Sequence, residues 1–174
     1  MASVDQSSYI PTLADYFGRQ WPDANEIVVT DIETPVATGF SNETVLFAVS
    51  WVDNAGPHRK RFVGRLEPSD GPMFPAQRPG LESSCYLQHR AMQIVANHSV
   101  VPIPPLLGYE STLEPLGRPF FAMGFVDGEV PADNPRYTQS GFLVERSSPV
   151  ERRTLVETGL DAMSSLHAID WRTA

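Results

Sequence analysis

The sequence predicts an α+β protein with five short strands and one main helix, followed by a connector and a further helix. Between residues 36 and 66, apolar runs rich in β-branched residues alternate with polar turns, which is the pattern of a three-stranded meander. Apolar residues at helical spacing over residues 81–97 precede two more short apolar runs, at residues 106–109 and 119–125.

Size and composition are those of a soluble globular chain. It has 174 residues, of which 41% are hydrophobic, and a mean hydropathy of −0.20, enough for one domain with a core. The net charge of −8 argues against a nucleic-acid surface, and no apolar run approaches the ~20 residues of a membrane span. Cys85 is the single cysteine, which suits a reducing compartment. We therefore expect a cytoplasmic protein with neither a nucleic acid nor a membrane as partner.

The first predicted elements are a helix over residues 9–21 and a strand over residues 27–37. Pro11 suits the first turn of a helix, and Pro35 marks an edge or a bulge in the strand. The apolar face of the helix is predicted to hold four residues: Ile10, Leu13, Phe17 and Trp21.

The second and third strands are predicted over residues 44–52 and 61–66, joined by a hairpin turn at residues 53–57. Successive side chains of a strand point to opposite faces of the sheet. One face of the third strand therefore carries Arg61, Val63 and Arg65. The other face carries Phe62, Gly64 and Leu66.

The connection at residues 67–80 holds four prolines and two glycines and shows no periodicity, which is typical of a functional flap or a mobile loop. In the helix that follows, the predicted core residues are Leu87, Ala91, Ile94 and Val95. The last helix is predicted over residues 152–170, with an apolar stripe of Val156, Leu160, Met163, Leu166 and Ile169. Since such a stripe needs a packing partner, we expect the 174 residues to be the front part of a longer protein.

The turn before the second strand contains Gly39, Ser41 and Asn42. Glycine and asparagine tolerate a positive φ, so that successive backbone N–H groups can point the same way and bind an anion such as a phosphate. The alternative is an ordinary hairpin with surface arginines. Taken alone, these residues favour the ordinary hairpin.

Five segments together resemble the aminoglycoside phosphotransferase family: G-F-S-N-E-T, F-V-G-R-L, V-P-I-P-P-L-L-G, L-G-R-P-F-F-A-M-G-F-V-D-G and S-S-L-H-A-I-D. The resemblance runs from about residue 30 to residue 172. Within the family, the chain is similar to the bacterial branch whose domain is also found fused to acyl-CoA dehydrogenases. The resemblance implies a protein-kinase-like fold, with a five-stranded antiparallel sheet and one main helix in its small lobe. It implies an N-terminal helical segment at residues 1–24, a nucleotide-binding small lobe at 25–125, and a linker with the first helix of the large lobe at 126–174.

The same resemblance implies roles for individual residues around a nucleotide. Gly39, Ser41 and Asn42 would cradle phosphates. Val63 would form a wall of the adenine pocket, and Arg65 would replace the usual lysine as the phosphate cation. The position of the helix carboxylate that holds this cation in kinases is matched here by Gln88, with His89 as the alternative.

At the other end of the nucleotide, Met123 would lie at the back of the adenine pocket. Gly124 and Val126 would offer backbone groups to the base edge. Plain core packing is the alternative for Phe120, Phe121 and Met123, and a buried strand accommodates both roles because alternate residues point opposite ways.

The implied function is that of an ATP-binding lobe. The whole enzyme would transfer the γ-phosphoryl group of ATP, with Mg²⁺, to a hydroxyl of an unidentified small molecule. The family's H-G-D-x-x-x-x-N loop and metal ligands are expected beyond residue 174, so the 174-residue chain alone is expected to be inactive. The substitutions at Arg65 and Gln88 leave a second hypothesis, a non-catalytic nucleotide-binding or scaffolding relative. A third is a plain α+β interaction domain.

Overall fold

The computed structural model describes residues 8–35, 42–68, 84–112, 116–131 and 135–173. Within these ranges the helices are Tyr9–Gln20 (α1), Ser84–His98 (α2), Phe142–Glu145 (α3) and Pro149–His167 (α4). The strands are Asn25–Glu33 (β1), Glu43–Asp53 (β2), Gly56–Leu66 (β3), Leu106–Glu110 (β4) and Phe120–Gly124 (β5).

The described strands form one five-stranded sheet in the order β1-β2-β3-β5-β4, and every neighbouring pair is antiparallel. The predicted α+β class and the predicted sheet are therefore confirmed. The predicted loop at residues 67–80 falls almost wholly outside the described residues, which resume at Ser84.

The β2–β3 hairpin is longer than predicted, because β3 begins at Gly56 and not at residue 61. Its ladder runs without interruption from Glu43 opposite Leu66 to Asp53 opposite Gly56. The turn is tight: a carboxylate oxygen of Asp53 accepts the Ala55 N–H at 2.8 Å, and Gly56 has a φ of 112°. The turn sets the register of the hairpin up to its last pair, so the polar residues that follow Gly56 are paired in β3.

Helix α1 packs across one face of the sheet and forms the main core with it. The Phe17 ring lies 4.9 Å from that of Phe62, and the Tyr16 ring lies 5.0 Å from that of Phe120. The buried face of α1 consists of Tyr9, Leu13, Tyr16 and Phe17. The predicted face was wrong at Ile10, which is 39% exposed. Tyr9 is buried at this end of the helix instead, while Leu13 and Phe17 are buried as predicted.

Strand β1 is an irregular edge strand. Its pairing with β2 shifts register between Asn25 and Val28 and again between Thr30 and Glu33. Such bulges bend an edge strand and make it a poor template for pairing with another chain. The strand ends at Glu33, so the predicted end at residue 37 was wrong. Residues 36 and 37 lie outside the described residues.

Helix α2 turns a mostly polar face towards the sheet. Its buried residues are Ser84, Cys85 and His89, whereas Ala91, a predicted core residue, is exposed. The prediction rested on apolar spacing, and this helix instead meets backbone carbonyls: the Cys85 thiol lies 3.4 Å from the carbonyl oxygen of Arg65. The buried face of α2 therefore combines hydrogen bonds to backbone carbonyls with a ring contact, since His89 also packs 5.2 Å from the Phe121 ring.

The chain divides into two compact units. The larger holds the described parts of Met1–Gln93 and Pro104–Phe125, and the smaller those of Ile94–Ile103 and Val126–Ala174. The larger unit therefore contains α1 and the sheet. The predicted division at residues 25 and 126 stays a prediction.

In the smaller unit, α4 begins at Pro149 and not at the predicted residue 152. Ser148 caps it: its hydroxyl accepts the Glu151 N–H, and the Glu151 carboxylate accepts the Ser148 N–H at 2.7 Å. The short helix α3 was not predicted. In the described part of the chain, no helix combines the length and the apolar character that a membrane crossing needs.

Candidate functional site

The face of the sheet opposite to α1, here called the inner face, carries the predicted site residues of β3. Phe62, Gly64 and Leu66 are buried on the α1 side, and Val63 and Arg65, between them, are half-buried. Residues directly opposite each other on antiparallel strands point to the same face. The inner face therefore carries, from β2, β3 and β5, the side chains Thr44, Leu46, Val63, Arg65, Phe121 and Met123.

Two neutral groups are among those that hold Arg65 on this face. Its Nη1 donates to the Thr44 hydroxyl, and its Nε donates to Gln88 Oε1 at 3.4 Å. Burial lowers the pKa of Arg65, but a guanidinium keeps its proton at neutral pH. The inner face thus presents a positive charge held in place by side chains of β2 and α2.

The sequence left two residues of α2 as candidate partners of Arg65, Gln88 and His89, and the structure decides between them. Gln88 faces Arg65, whereas His89 is buried and its Nε2 lies 2.9 Å from the Leu107 carbonyl oxygen. Because a carbonyl only accepts, that nitrogen carries the proton. The His89 ring packs 5.2 Å from the Phe121 ring. The residue beside the cation is therefore a neutral amide.

Asn42 is buried beneath the same face, with 8% of its surface exposed. Its Nδ2 donates to Gln88 Oε1 at 3.0 Å, and its Oδ1 accepts from the Ser84 hydroxyl. Both ends of this side chain are thus bonded to α2. Gly39 and Ser41, the other two residues predicted to cradle phosphates, lie outside the described residues.

Of the residues predicted to surround a base, Met123 lies directly opposite Val63. The next residue, Gly124, donates its N–H to the Pro105 carbonyl at 2.8 Å. A Cβ on Gly124 would come within 3.2 Å of the Pro105 ring, so a glycine suits this close approach. Val126 belongs to the smaller unit and its side chain is 64% exposed.

The comparison with known families now decides what kind of chain this is. A sequence model of the phosphotransferase enzyme family matches residues 33–174. The chain belongs to that family. The match covers β2 to α4, which includes every inner-face residue named above, and it confirms the family resemblance seen in the sequence.

A solved structure of the same kind agrees in fold. A candidate aminoglycoside phosphotransferase from Ralstonia eutropha JMP134 superposes with a TM-score of 0.53 at 19% sequence identity. The alignment covers 94% of this chain and 39% of that one, so the present chain spans well under half the length of its structural neighbour. At this identity the likeness shows a shared fold.

Sequence reasoning missed three polar residues of this candidate site: Thr44, Ser84 and Glu67. Thr44 accepts from Arg65, and Ser84 bonds to Asn42. Glu67, at the end of β3, receives the N-terminus of α2: its carboxylate oxygens accept from Ser84 N at 3.1 Å and from Cys85 N at 2.8 Å. The tight turn after Asp53 would have placed Thr44 opposite Arg65, because it sets the register of the whole hairpin.

Among the described residues, neither a metal site nor a nucleophilic cysteine is supported. No group of three or more His, Cys, Asp or Glu side chains there is arranged to hold a metal ion. Burial and the charge of Glu67 raise the pKa of the Cys85 thiol, which is fully buried. A thiol in that environment stays protonated and is a poor nucleophile.

Proposed function

We propose that this chain is the ATP-binding lobe of a small-molecule phosphotransferase, which transfers the γ-phosphoryl group of ATP to a hydroxyl of its acceptor. The observation that carries the proposal is the half-buried guanidinium of Arg65, fixed by Thr44 and Gln88 one step along the inner face from an apolar pair, Val63 and Met123. An apolar surface beside a fixed cation fits a molecule with a flat base and phosphates.

The proposed contacts divide between base and phosphates. Val63 and Met123 would pack against the purine. The Gly124 carbonyl would meet the base edge, since the Gly124 N–H already donates to Pro105.

Phosphate oxygens would accept from Arg65 and from the backbone N–H groups at Gly39, Ser41 and Asn42. Bound ATP would supply the phosphoryl group, and Mg²⁺ would offset its charge. We assign no Mg²⁺ ligand to the described residues.

Replacement of Arg65 tests the phosphate site. Charge-assisted hydrogen bonds are each worth roughly 1.5–3 kcal/mol, so Arg65→Ala should weaken binding of ATP to the whole protein by about ten- to a hundred-fold in titration calorimetry. Lys60→Ala is the control, because Lys60 is exposed and points to the other face of β3. ATP binding lost with Lys60→Ala and kept with Arg65→Ala would contradict the proposal.

Arg61 also lies on β3, but Arg61→Ala would be a poorer control than Lys60→Ala. Its guanidinium lies 3.8 Å from the centre of the Phe125 ring, and its carbonyl accepts the Phe125 N–H at 3.0 Å. Arg61→Ala would therefore disturb the segment next to Gly124 and with it the proposed base contact.

One observation favours the non-catalytic alternative. The partner of Arg65 on α2 is the neutral Gln88 and not the carboxylate of the kinase pattern. Release of ADP in the presence of a panel of alcohols distinguishes the two functions. ATP binding without acceptor-dependent ADP release would favour a scaffolding relative.

A further inference from the structure

Three side chains from three separate segments form one chain of hydrogen bonds beneath the inner face. Asn42, just before β2, donates to Gln88 on α2, and Gln88 accepts from Arg65 on β3. We propose that Asn42 is a positioning residue, which fixes the guanidinium of Arg65 through Gln88. The inference rests on the proposed function in one respect, that Arg65 holds the phosphates of ATP.

Donor and acceptor chemistry gives this chain a single direction. A guanidinium only donates, so Gln88 must turn its Oε1, and not its amino group, towards Arg65. The same oxygen lies 3.0 Å from Asn42 Nδ2, so Asn42 must turn its amino group towards Gln88. Asn42 Oδ1 is then left for the Ser84 hydroxyl. Reversing either amide would bring donor against donor beside Arg65 or acceptor against acceptor beside Asn42.

Distances show why Gln88 needs Asn42. The bond between Arg65 Nε and Gln88 Oε1 is 3.4 Å, beyond the usual 2.7–3.2 Å of N–H···O bonds in proteins. The bond from Asn42 to the same oxygen is 3.0 Å. Glutamine has a flexible side chain, and the shorter of its two bonds is the one that restrains it. Asn42 therefore determines where the acceptor of Arg65 lies.

Burial makes Asn42 suited to this role and unsuited to direct contact with a ligand. It is 8% exposed, and Ser84 is 1% exposed. A buried amide keeps its hydrogen bonds because water cannot replace them. Since both ends of the side chain are bonded within the protein, its amide acts on a ligand through Gln88 and Arg65.

Because Gln88 is neutral, it differs from a carboxylate both in the charge that it places beside Arg65 and in the strength of its hydrogen bond. A carboxylate at this position would hold Arg65 firmly but would also offset its charge. An amide adds no negative charge beside Arg65 and holds the guanidinium less tightly than a carboxylate would. The bond from Asn42 compensates for the weaker hold.

The test compares ATP with adenosine, which lacks phosphates. In Asn42→Ala the donor for Gln88 is lost and no charge is added, while the Ser84 hydroxyl keeps its contact of 2.9 Å with Glu67 Oε1. We expect ATP binding to the whole protein to weaken by about three- to thirty-fold and adenosine binding to stay unchanged. In Arg65→Ala, the further change Asn42→Ala should cost nothing more. Asn97→Ala, an exposed asparagine of α2, is the control.

Three results would overturn the proposal: equal losses for ATP and adenosine, additive losses in the double variant, or no loss in Asn42→Ala. If Asn42→Ala does not fold, Asn42→Ser takes its place with the same expectations.

A second readout is independent of ATP. The Arg65 Nε–H resonance should shift and exchange faster in Asn42→Ala, as it should in Gln88→Ala. If the wild-type protein binds no ATP, the proposed function fails, and this resonance still decides the coupling. An unchanged resonance in Asn42→Ala would contradict it.

Discussion

At the scale of single residues, Tyr16 shows how one polar atom ties α1 to the sheet. Its side chain is fully buried and its hydroxyl donates to the Gly108 carbonyl. Burial raises the pKa of Tyr16, and the charge of Glu110 adds to the effect. The hydroxyl is therefore held as a neutral donor.

The raised pKa of Tyr16 predicts a loss of stability in alkali. An unfolded tyrosine ionises near pH 10, whereas the folded protein keeps this proton. The contribution of Tyr16 is therefore complete below about pH 10 and declines as pH rises above it. Tyr16→Phe should cost about 1 kcal/mol at pH 7 and remove this part of the alkaline decline. Urea unfolding of both proteins from pH 7 to 10.5 checks it, and equal alkaline slopes would contradict it.

Residue-scale predictions from sequence succeeded where a local rule decides the answer. Alternation along β3 placed Val63 and Arg65 on one face, and the structure agrees. The choice between Gln88 and His89 was open, because neighbouring residues of a helix differ by about 100° in direction and only the packing of α2 decides which one faces β3. The bonds from Asn42 to Ser84 and to Gln88 span 42 and 46 positions of the sequence, respectively, and no local pattern reveals them.

At the scale of elements, replacing a glycine by alanine is expected to have opposite effects on stability in the β2–β3 turn and near the end of α1. Gly56 has a φ of 112°, and a Cβ there would meet nothing within 4 Å, so Gly56→Ala costs backbone strain alone. We expect a loss of about 1–2 kcal/mol. Gly18 is exposed in α1, and Gly18→Ala should stabilise by about 0.5 kcal/mol. Thermal unfolding checks both: an unchanged or raised Tm in Gly56→Ala would contradict the strain assigned to the turn, and a lowered Tm in Gly18→Ala would contradict the gain assigned to the helix.

The predictions for individual elements were wrong for physical reasons that differ from one element to the next. The Ser148–Glu151 capping box marks the start of α4 and was present in the sequence, but the apolar stripe alone suggested a start three residues later. The buried face of α2 could not be predicted, because its partners include backbone carbonyls and the carboxylate of Glu67, which carry no periodicity.

At the scale of the larger unit, Arg118 joins three parts of the chain from the segment before β5. Its two terminal nitrogens each lie 2.7 Å from a carboxylate oxygen of Glu43, at the start of β2. The guanidinium also donates to the Glu67 carbonyl at 3.2 Å and to the Tyr9 hydroxyl at 3.5 Å. Because Glu43 directly follows Asn42, this contact fixes the strand beside the proposed phosphate site.

The Arg118 contact predicts a large loss of stability for this half-buried arginine and a small loss for the exposed Arg19. The Arg118 side chain is only 14% exposed, and Arg118→Met keeps its apolar stem but leaves Glu43 without its two-pronged partner. We expect the free energy of unfolding to fall by about 2 kcal/mol. Arg19 makes a single contact of 3.0 Å with Glu110 and is 55% exposed, so Arg19→Met should cost less than about 0.5 kcal/mol. Urea midpoints at an unchanged m-value measure both losses, and equal losses would show that Arg118 is no more than an ordinary surface ion pair.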